Sequence, residues 1–224
     1  MQITYHGHSC LSLVVANERI MIDPFITGNP LSDLTVEDVR VDWLLITHGH
    51  GDHIGDMIQL AKNNDAVIIG SAEIATYAQN QGVRAHGMNI GGTYTFPFGK
   101  VKMVYAQHSS GYTVDGVTHY MGEAAGYILE SEGVTIYHAG DTAYYSDMQL
   151  IGEDFSIDCA FLPIGDNYTM GISDAVRAVK SIQAKKVIPI HYNTFEEIKQ
   201  NPEDFTKRLA GKGYVMRSGE TMEV

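Results

Sequence analysis

Short apolar runs separated by glycine or charged residues follow one another along most of the chain. Paired runs predict three β-hairpins, over residues 11–16 with 19–23, 93–98 with 101–106, and 127–130 with 134–139. Other runs predict single strands over residues 41–47, 66–70, 157–162, 186–190 and 214–217. Apolar residues at helical spacing predict helices over residues 54–62, 72–80, 173–182 and 203–209.

Hairpins dominate the early and middle parts of this order, and each half ends in strand–helix alternation. We therefore expect an α+β fold: a four-layer αββα sandwich, with two mixed β-sheets packed face to face and helices outside. The chain has no repeat and no stretch rich in Pro, Gly or Ser that would act as a linker. Residues 1–224 are therefore predicted to form one domain.

Residues that can bind a metal follow the predicted strands. The strand over residues 41–47 runs directly into Thr-His-Gly-His-Gly-Asp-His, and other strands are each followed by His or Asp. The residues concerned are Asp23, His48, His50, Asp52, His53, His108, Asp141 and His191. If the strands run in similar directions, their ends share one edge, and side chains that are distant in sequence meet there.

The first motif is too rich in ligands for one ion. Positions i, i+2 and i+4 of an extended segment project to one side, so His48, His50 and Asp52 face a common point. A catalytic zinc ion takes three protein ligands plus water. The candidates other than Asp23 divide into three, three and one shared carboxylate. The sequence thus predicts two divalent metal ions; we expect Zn²⁺, although Mn²⁺ and Fe²⁺ also suit these ligands.

The same residues resemble, in the same order, the ligand set of the metallo-β-lactamase superfamily. The resemblance rests on His-x-His-x-Asp-His at 48–53, His108, Asp141 in Ala-Gly-Asp-Thr and His191 in Pro-Ile-His-Tyr. The opening Tyr-His-Gly-His-Ser and the later Ile-Pro-Ile-His-Tyr-Asn-Thr-Phe resemble a narrower group. That group comprises metal-dependent hydrolases related to L-ascorbate-6-phosphate lactonase. The resemblance implies the αββα sandwich that the element order also favours.

The resemblance also assigns each ligand to a metal ion. It implies that one ion is held by His48, His50 and His108. It implies that the other is held by Asp52, His53 and His191. Asp141 would bridge the two ions.

The expected reaction is hydrolysis. Two close divalent ions lower the pKa of a shared water, so we expect a metal-bridging hydroxide to act as the nucleophile. Asp52 can accept a hydrogen bond from this hydroxide and aim it, which makes Asp52 and Asp141 the candidate catalytic residues. The two ions outweigh the two carboxylates and the hydroxide in charge. This predicts a small anionic substrate, namely an ester, a lactone or a phosphoester.

Several nearby residues have candidate supporting roles. The narrower resemblance implies that His8 lies near the site, although a structural histidine is an equal alternative. Asp23 either orients a ligand histidine or forms a turn. Asn167 and Tyr168 follow a predicted strand and could contact substrate at the same edge. His138 alternates away from Asp141 on its strand and is predicted to be structural.

Composition argues against several classes of partner. With a net charge of −12, the chain is not expected to present the basic surface that binding to nucleic acids or anionic membranes requires. Cys10 and Cys159 lie in apolar surroundings and are expected to be buried free thiols in a reducing compartment. The N-terminus has no signal-peptide pattern and no transmembrane stretch is seen, so the expected location is the cytoplasm. The sequence does not set the oligomeric state, and a homo-oligomer is possible.

Three other functions compete with this prediction. A metal-dependent nuclease or phosphodiesterase is disfavoured by the acidic chain. A mononuclear iron oxygenase would need only one of the two ligand sets. A binding module with a structural metal would normally use cysteine ligands and a closed coordination sphere, whereas these candidates contain no cysteine.

Overall fold

The computed structural model describes all 224 residues. Its strands, in chain order, are β1 (Gln2–Tyr5), β2 (Leu11–Val15), β3 (Glu18–Ile22), β4 (Trp43–Leu45), β5 (Val67–Ser71), β6 (Ala85–Met88), β7 (Thr93–Phe96), β8 (Gly99–Tyr105), β9 (Gly111–Val114), β10 (Val117–Tyr120), β11 (Ala125–Ser131), β12 (Val134–His138), β13 (Cys159–Pro163), β14 (Lys186–Ile190) and β15 (Thr221–Glu223). Its α-helices are α1 (Gly51–Ile54), α2 (Met57–Asn64), α3 (Ala72–Asn80), α4 (Met148–Asp154), α5 (Ile172–Ile182) and α6 (Pro202–Thr206). A 3₁₀ turn covers Glu196–Ile198.

Two mixed sheets form the centre of the fold. One has the strand order β15-β1-β2-β3-β4-β5-β6, and the other has the order β14-β13-β12-β11-β8-β7. Their facing sides share one apolar cluster, which includes Leu13, Tyr127 and Phe161. A second cluster packs the first sheet against α2 and α3, and a third packs the other sheet against α4, α5 and α6. The predicted four-layer αββα sandwich is therefore confirmed.

The strand directions bring the candidate ligands together. Strands β8 and β12 both run antiparallel to β11, so they share a direction, and β13 and β14 continue it in parallel. In the other sheet, β3, β4, β5 and β6 are parallel neighbours. The carboxyl ends of each group therefore lie at one edge of their sheet, and the loops after β3, β4, β8, β12 and β14 carry the ligand candidates.

The three predicted hairpins are confirmed, but the predicted helix over residues 54–62 is wrong at its start. The chain forms α1, turns at Gly55 and begins α2 at Met57. Gly55 has a left-handed backbone (φ 43°), and a Cβ there would lie 2.3 Å from the carbonyl oxygen of Pro24. This close approach packs the start of α2 against the loop after β3.

The predicted strand over residues 214–217 is also wrong. A single bridge joins Val187 to Gly213, and the final strand is β15, which pairs with β1. The apolar pattern did not predict β1, β6, α4 or the β9–β10 hairpin. That hairpin is largely exposed, so its side chains show no inside–outside alternation. Its Asp115-Gly116 turn, with positive φ at both residues, was the available signal. None of the helices is long and apolar enough to cross a membrane.

Candidate metal centre

The first three candidate ligands converge on one point. The Nε2 atom of His48 lies 3.0 Å from Nδ1 of His50, and Nε2 of His108 lies 3.2 Å from the same nitrogen. Nitrogens bound tetrahedrally to one zinc ion lie about 3.3 Å apart, given a Zn–N bond near 2 Å. The three imidazoles are thus spaced as a ligand set would be.

A second set adjoins the first. Oδ2 of Asp52 lies 3.9 Å from Nε2 of His53 and 3.6 Å from Nε2 of His191. Asp141, which is buried, joins the two sets: its Oδ2 lies 2.9 Å from His191, 3.2 Å from His53, 3.7 Å from His108 and 3.9 Å from His48. All seven predicted ligands therefore meet, and one carboxylate oxygen is within 4 Å of imidazole nitrogens from both sets.

Asp23 orients one histidine of each set. Its Oδ2 accepts a hydrogen bond from Nδ1 of His53 at 2.8 Å and another from the Thr47 hydroxyl at 2.7 Å. Because the Thr47 hydroxyl donates its only proton to Asp23, its oxygen accepts from Nδ1 of His48 at 3.0 Å. Both imidazoles thus carry a proton on Nδ1 and turn Nε2 toward the cluster. Asp23 thus orients two candidate ligand histidines rather than serving only as a turn former.

His8 holds Asp52 in the same way. The buried His8 ring donates from Nε2 to Oδ2 of Asp52 at 3.0 Å, and its Nδ1 accepts from the Thr194 hydroxyl at 2.8 Å. The chain Thr194–His8–Asp52 fixes the carboxylate that completes the second set. His8 and Asp23 both have left-handed backbones, as does His191. Non-glycine residues in that conformation cost free energy and concentrate at functional sites.

Charges within the cluster favour a cation. Burial alone would lower the pKa of His191, but Asp141 and Asp52 outweigh it and raise this pKa to about 9. Burial would raise the pKa of the Asp141 carboxyl, but His191 and His53 hold it well below its ordinary value. The carboxylates thus keep protons on neighbouring imidazoles, and a divalent ion would supply that positive charge instead.

Two buried polar atoms in the cluster have no hydrogen-bond partner, which also favours a bound metal ion. Nε2 of His53 has no hydrogen-bond partner, and neither has Oδ1 of Asp141. With Nδ1 of His53 donating to Asp23, a neutral His53 ring would turn a lone pair toward the Asp141 carboxylate. Two acceptors facing each other in a buried site need a proton or a metal ion between them, and a bound divalent ion would replace the proton. The donor set of imidazoles and carboxylates suits zinc, manganese or iron.

Close packing fixes the loop that carries the first motif. A Cβ at Gly49 would lie 2.4 Å from Cβ of Met121, and the Gly49 amide donates to the Ser110 hydroxyl at 3.0 Å. The Ser109 hydroxyl lies 3.2 Å from Nε2 of His50. The sequence did not predict the roles of Ser109, Thr47 and Thr194, because single hydroxyl residues carry no spacing signal.

The cluster opens into a cavity of about 300 Å³. Tyr168 lines this cavity together with His50, Asp52, His108, Ser109, Asp141 and His191. Asn167 lies in the same turn but does not line it. His138 is buried and bonded to backbone at Ser9 and Gly140, so it lies outside the cluster. His6 likewise pairs with Asp33 and Ser12.

Comparison with known proteins agrees with this geometry. The family model of the β-lactamase superfamily domain matches residues 18–192. A UPF0173 metal-dependent hydrolase of Enterococcus faecalis is 57% identical over the whole of both chains. Another, from Anoxybacillus flavithermus, is 55% identical, again over the full length of both. The finer relation to L-ascorbate-6-phosphate lactonase stays a prediction.

Solved structures show the same fold. Igni18, a metallo hydrolase from the archaeon Ignicoccus hospitalis, is 36% identical, with a TM-score of 0.90 over 100% of this chain and 98% of its own. An isothiocyanate hydrolase from Delia radicum gut bacteria is 21% identical, with a TM-score of 0.79 over 100% of this chain and 99% of its own, and supports the fold alone. The chain belongs to the metal-dependent hydrolases of the metallo-β-lactamase superfamily.

Proposed function

We propose that the protein hydrolyses a small ester, lactone or phosphoester by means of two divalent metal ions. His48, His50 and His108 would hold one ion, and Asp52, His53 and His191 would hold the other. One observation carries the proposal: Oδ2 of Asp141 lies within 4 Å of imidazole nitrogens from both sets. A single ion in either set would leave the other three converging side chains without an ion.

Divalent ions bound to such donors lower the pKa of coordinated water and so supply a nucleophile at neutral pH. The chain's own residues then position the reaction. Asp52 lines the cavity, and its carboxylate is held there by His8, so it can accept a hydrogen bond from the attacking water. Tyr168 lines the same cavity and is half exposed, which places its hydroxyl within reach of a bound substrate.

The charge of the loaded site supports an anionic reacting group. Two divalent ions beside Asp52 and Asp141 leave a local positive charge, and short-range attraction outweighs the screened charge of the distant acidic surface. The cavity lining holds no Lys or Arg to bind the backbone of a long nucleic acid. A small substrate therefore suits the site better than a polynucleotide.

The test combines metal analysis with a substrate panel. Purified protein should contain two divalent ions per chain and should hydrolyse members of a panel of lactones, thioesters and phosphodiesters only without chelator. His48→Ala and Asp141→Ala should abolish turnover while retaining the circular dichroism of the fold. His86→Ala, on β6 outside the cluster, is the matched control and should retain activity. Turnover that survives chelation or Asp141→Ala would overturn the proposal.

A further inference from the structure

A second cavity extends the metal centre toward the β9–β10 hairpin. Its volume is about 620 Å³, and it shares His50, His108 and Ser109 with the cavity described above. The hairpin forms its outer wall. A substrate whose reacting group lies at the metals would therefore place its remaining atoms against this hairpin.

The base of the hairpin is held firmly beside the ligands. The Ser110 hydroxyl accepts from the Gly49 amide, and the Met121 amide donates to the Ser110 carbonyl at 3.1 Å. The Ser71 hydroxyl donates to the Met121 carbonyl at 2.6 Å. These bonds tie the start of the hairpin to Gly49 in the first motif and its end to Ser71 at the end of β5. The wall therefore stands at a fixed distance from His50 and His108.

The lining of this second cavity is rich in hydroxyl groups. Thr113 and Thr118 face each other across the hairpin with their hydroxyls 2.9 Å apart, and Tyr120 donates to Glu123 at 3.0 Å. In the threonine pair, one hydroxyl donates to the other, so one proton remains free for a ligand. The Ser109 hydroxyl and the His119 ring add further polar atoms.

Two classes of substrate fit this lining poorly. A long apolar acyl group would find Tyr120 as the single large apolar side chain in the wall. A distal phosphate or carboxylate would find no Lys or Arg in either cavity and would lie near the Glu123 carboxylate. Hydroxyl groups, in contrast, both donate and accept, as the wall does.

We propose that the β9–β10 hairpin binds the non-reacting part of the substrate, and that this part is uncharged and carries several hydroxyl groups, as in a sugar acid without phosphate. The proposal rests on the proposed function, because the metals fix which end of the substrate reacts. The negative charge of the substrate is then confined to the reacting group.

Three carboxylic acids of equal chain length test this chemistry. Hexanoate, D-gluconate and 6-phospho-D-gluconate share a carboxylate for the metals and differ only along the chain. In calorimetric titrations of the metal-loaded protein, gluconate should bind about tenfold tighter than either of the others, since two ordinary hydrogen bonds give roughly that factor. Mass spectrometry after each titration checks that the metals are retained. Hexanoate or phosphogluconate binding as tightly as gluconate, or no gluconate binding, would overturn the proposal.

Variants place the preference on the hairpin. The double variant Thr113→Val/Thr118→Val should lose most of the preference for gluconate and bind hexanoate unchanged. Thr76→Val, an exposed helical threonine whose hydroxyl bonds the Ala72 carbonyl, is the control. An unchanged preference in the double variant would contradict the placement. Loss of all binding when the metals are stripped reports on the metal centre, whereas loss of the gluconate preference in the double variant reports on the hairpin.

Discussion

Replacing Asp23 with Asn should weaken metal binding at both ligand sets, although Asp23 would touch neither ion. The buried carboxylate accepts from the Thr47 amide at 2.8 Å as well as from the Thr47 hydroxyl and His53. Asn keeps one acceptor, and its amide group would face Nδ1 of His53. That ring would then move its proton to Nε2, the atom that faces the cluster. His48 would also be less constrained, because the Thr47 hydroxyl that bonds its Nδ1 is itself held by Asp23.

The size of the effect follows from these contacts. Loss of two hydrogen bonds to a buried carboxylate, partly replaced, should lower the free energy of unfolding by about 3 kcal/mol. Loss of histidine orientation should weaken metal affinity by roughly 10- to 100-fold. Competition with a chelator measures the affinity, and urea unfolding measures the stability. Asp33→Asn, which breaks the carboxylate–histidine pair with His6, is the matched control. Wild-type metal affinity in Asp23→Asn would refute the reasoning.

Three further predictions follow from the same contacts. His8→Gln should lower the metal affinity of one site and leave that of the other within about twofold, because the His8 side chain hydrogen-bonds Asp52 alone among the candidate ligands. Equal weakening of both sites would count against this prediction. The free energy of unfolding of the metal-free protein should decrease as pH falls from about 6.5 to 4. Burial lowers the pKa of His8 and of His108 to about 4, so the unfolded chain binds those protons at a higher pH than the folded chain does. A free energy of unfolding in urea that does not change over this pH range would contradict this. The thiols of Cys10 and Cys159 should react with a disulfide reagent only after unfolding, because burial raises the pKa of both, that of Cys159 to about 12.

The convergence of the candidate ligands could be predicted from the sequence because it follows a rule of strand geometry. Each candidate ligand comes just after a strand, and parallel strands bring their carboxyl ends to one edge. The prediction needed only the apolar runs and the His and Asp residues after them. The pairing in register of β12, β13 and β14 supplies the shared edge.

The supporting contacts could not be predicted in the same way. The link from Asp23 through Thr47 to His48 depends on where the loop after β3 lies relative to β4, and no periodicity encodes that. Thr194 reaches His8 across 186 residues of chain. Three strands that the sequence did not predict also lack a clear pattern for physical reasons. β10 is exposed on both faces, β9 is only partly buried, and β15 is short and pairs only with β1.

The break in the predicted helix at Gly55 shows a tertiary constraint overriding a local pattern. The apolar spacing of residues 54–62 fits one helix, but Gly55 must lie against the Pro24 carbonyl. Asp56 then accepts from the amides of Ile26 and Thr27 at 3.1 and 2.8 Å. The turn thus joins the loop that carries Asp23 to helix α1, which carries Asp52 and His53. The helix pattern alone does not indicate this contact.

The most direct test of the two-metal centre is a crystal structure of the metal-loaded protein with anomalous data collected at the absorption edge of the bound metal. The account predicts two peaks, one contacted by His48, His50 and His108 and one by Asp52, His53 and His191, with Asp141 contacting both. A single peak, or two peaks of which one lies away from these side chains, would contradict it.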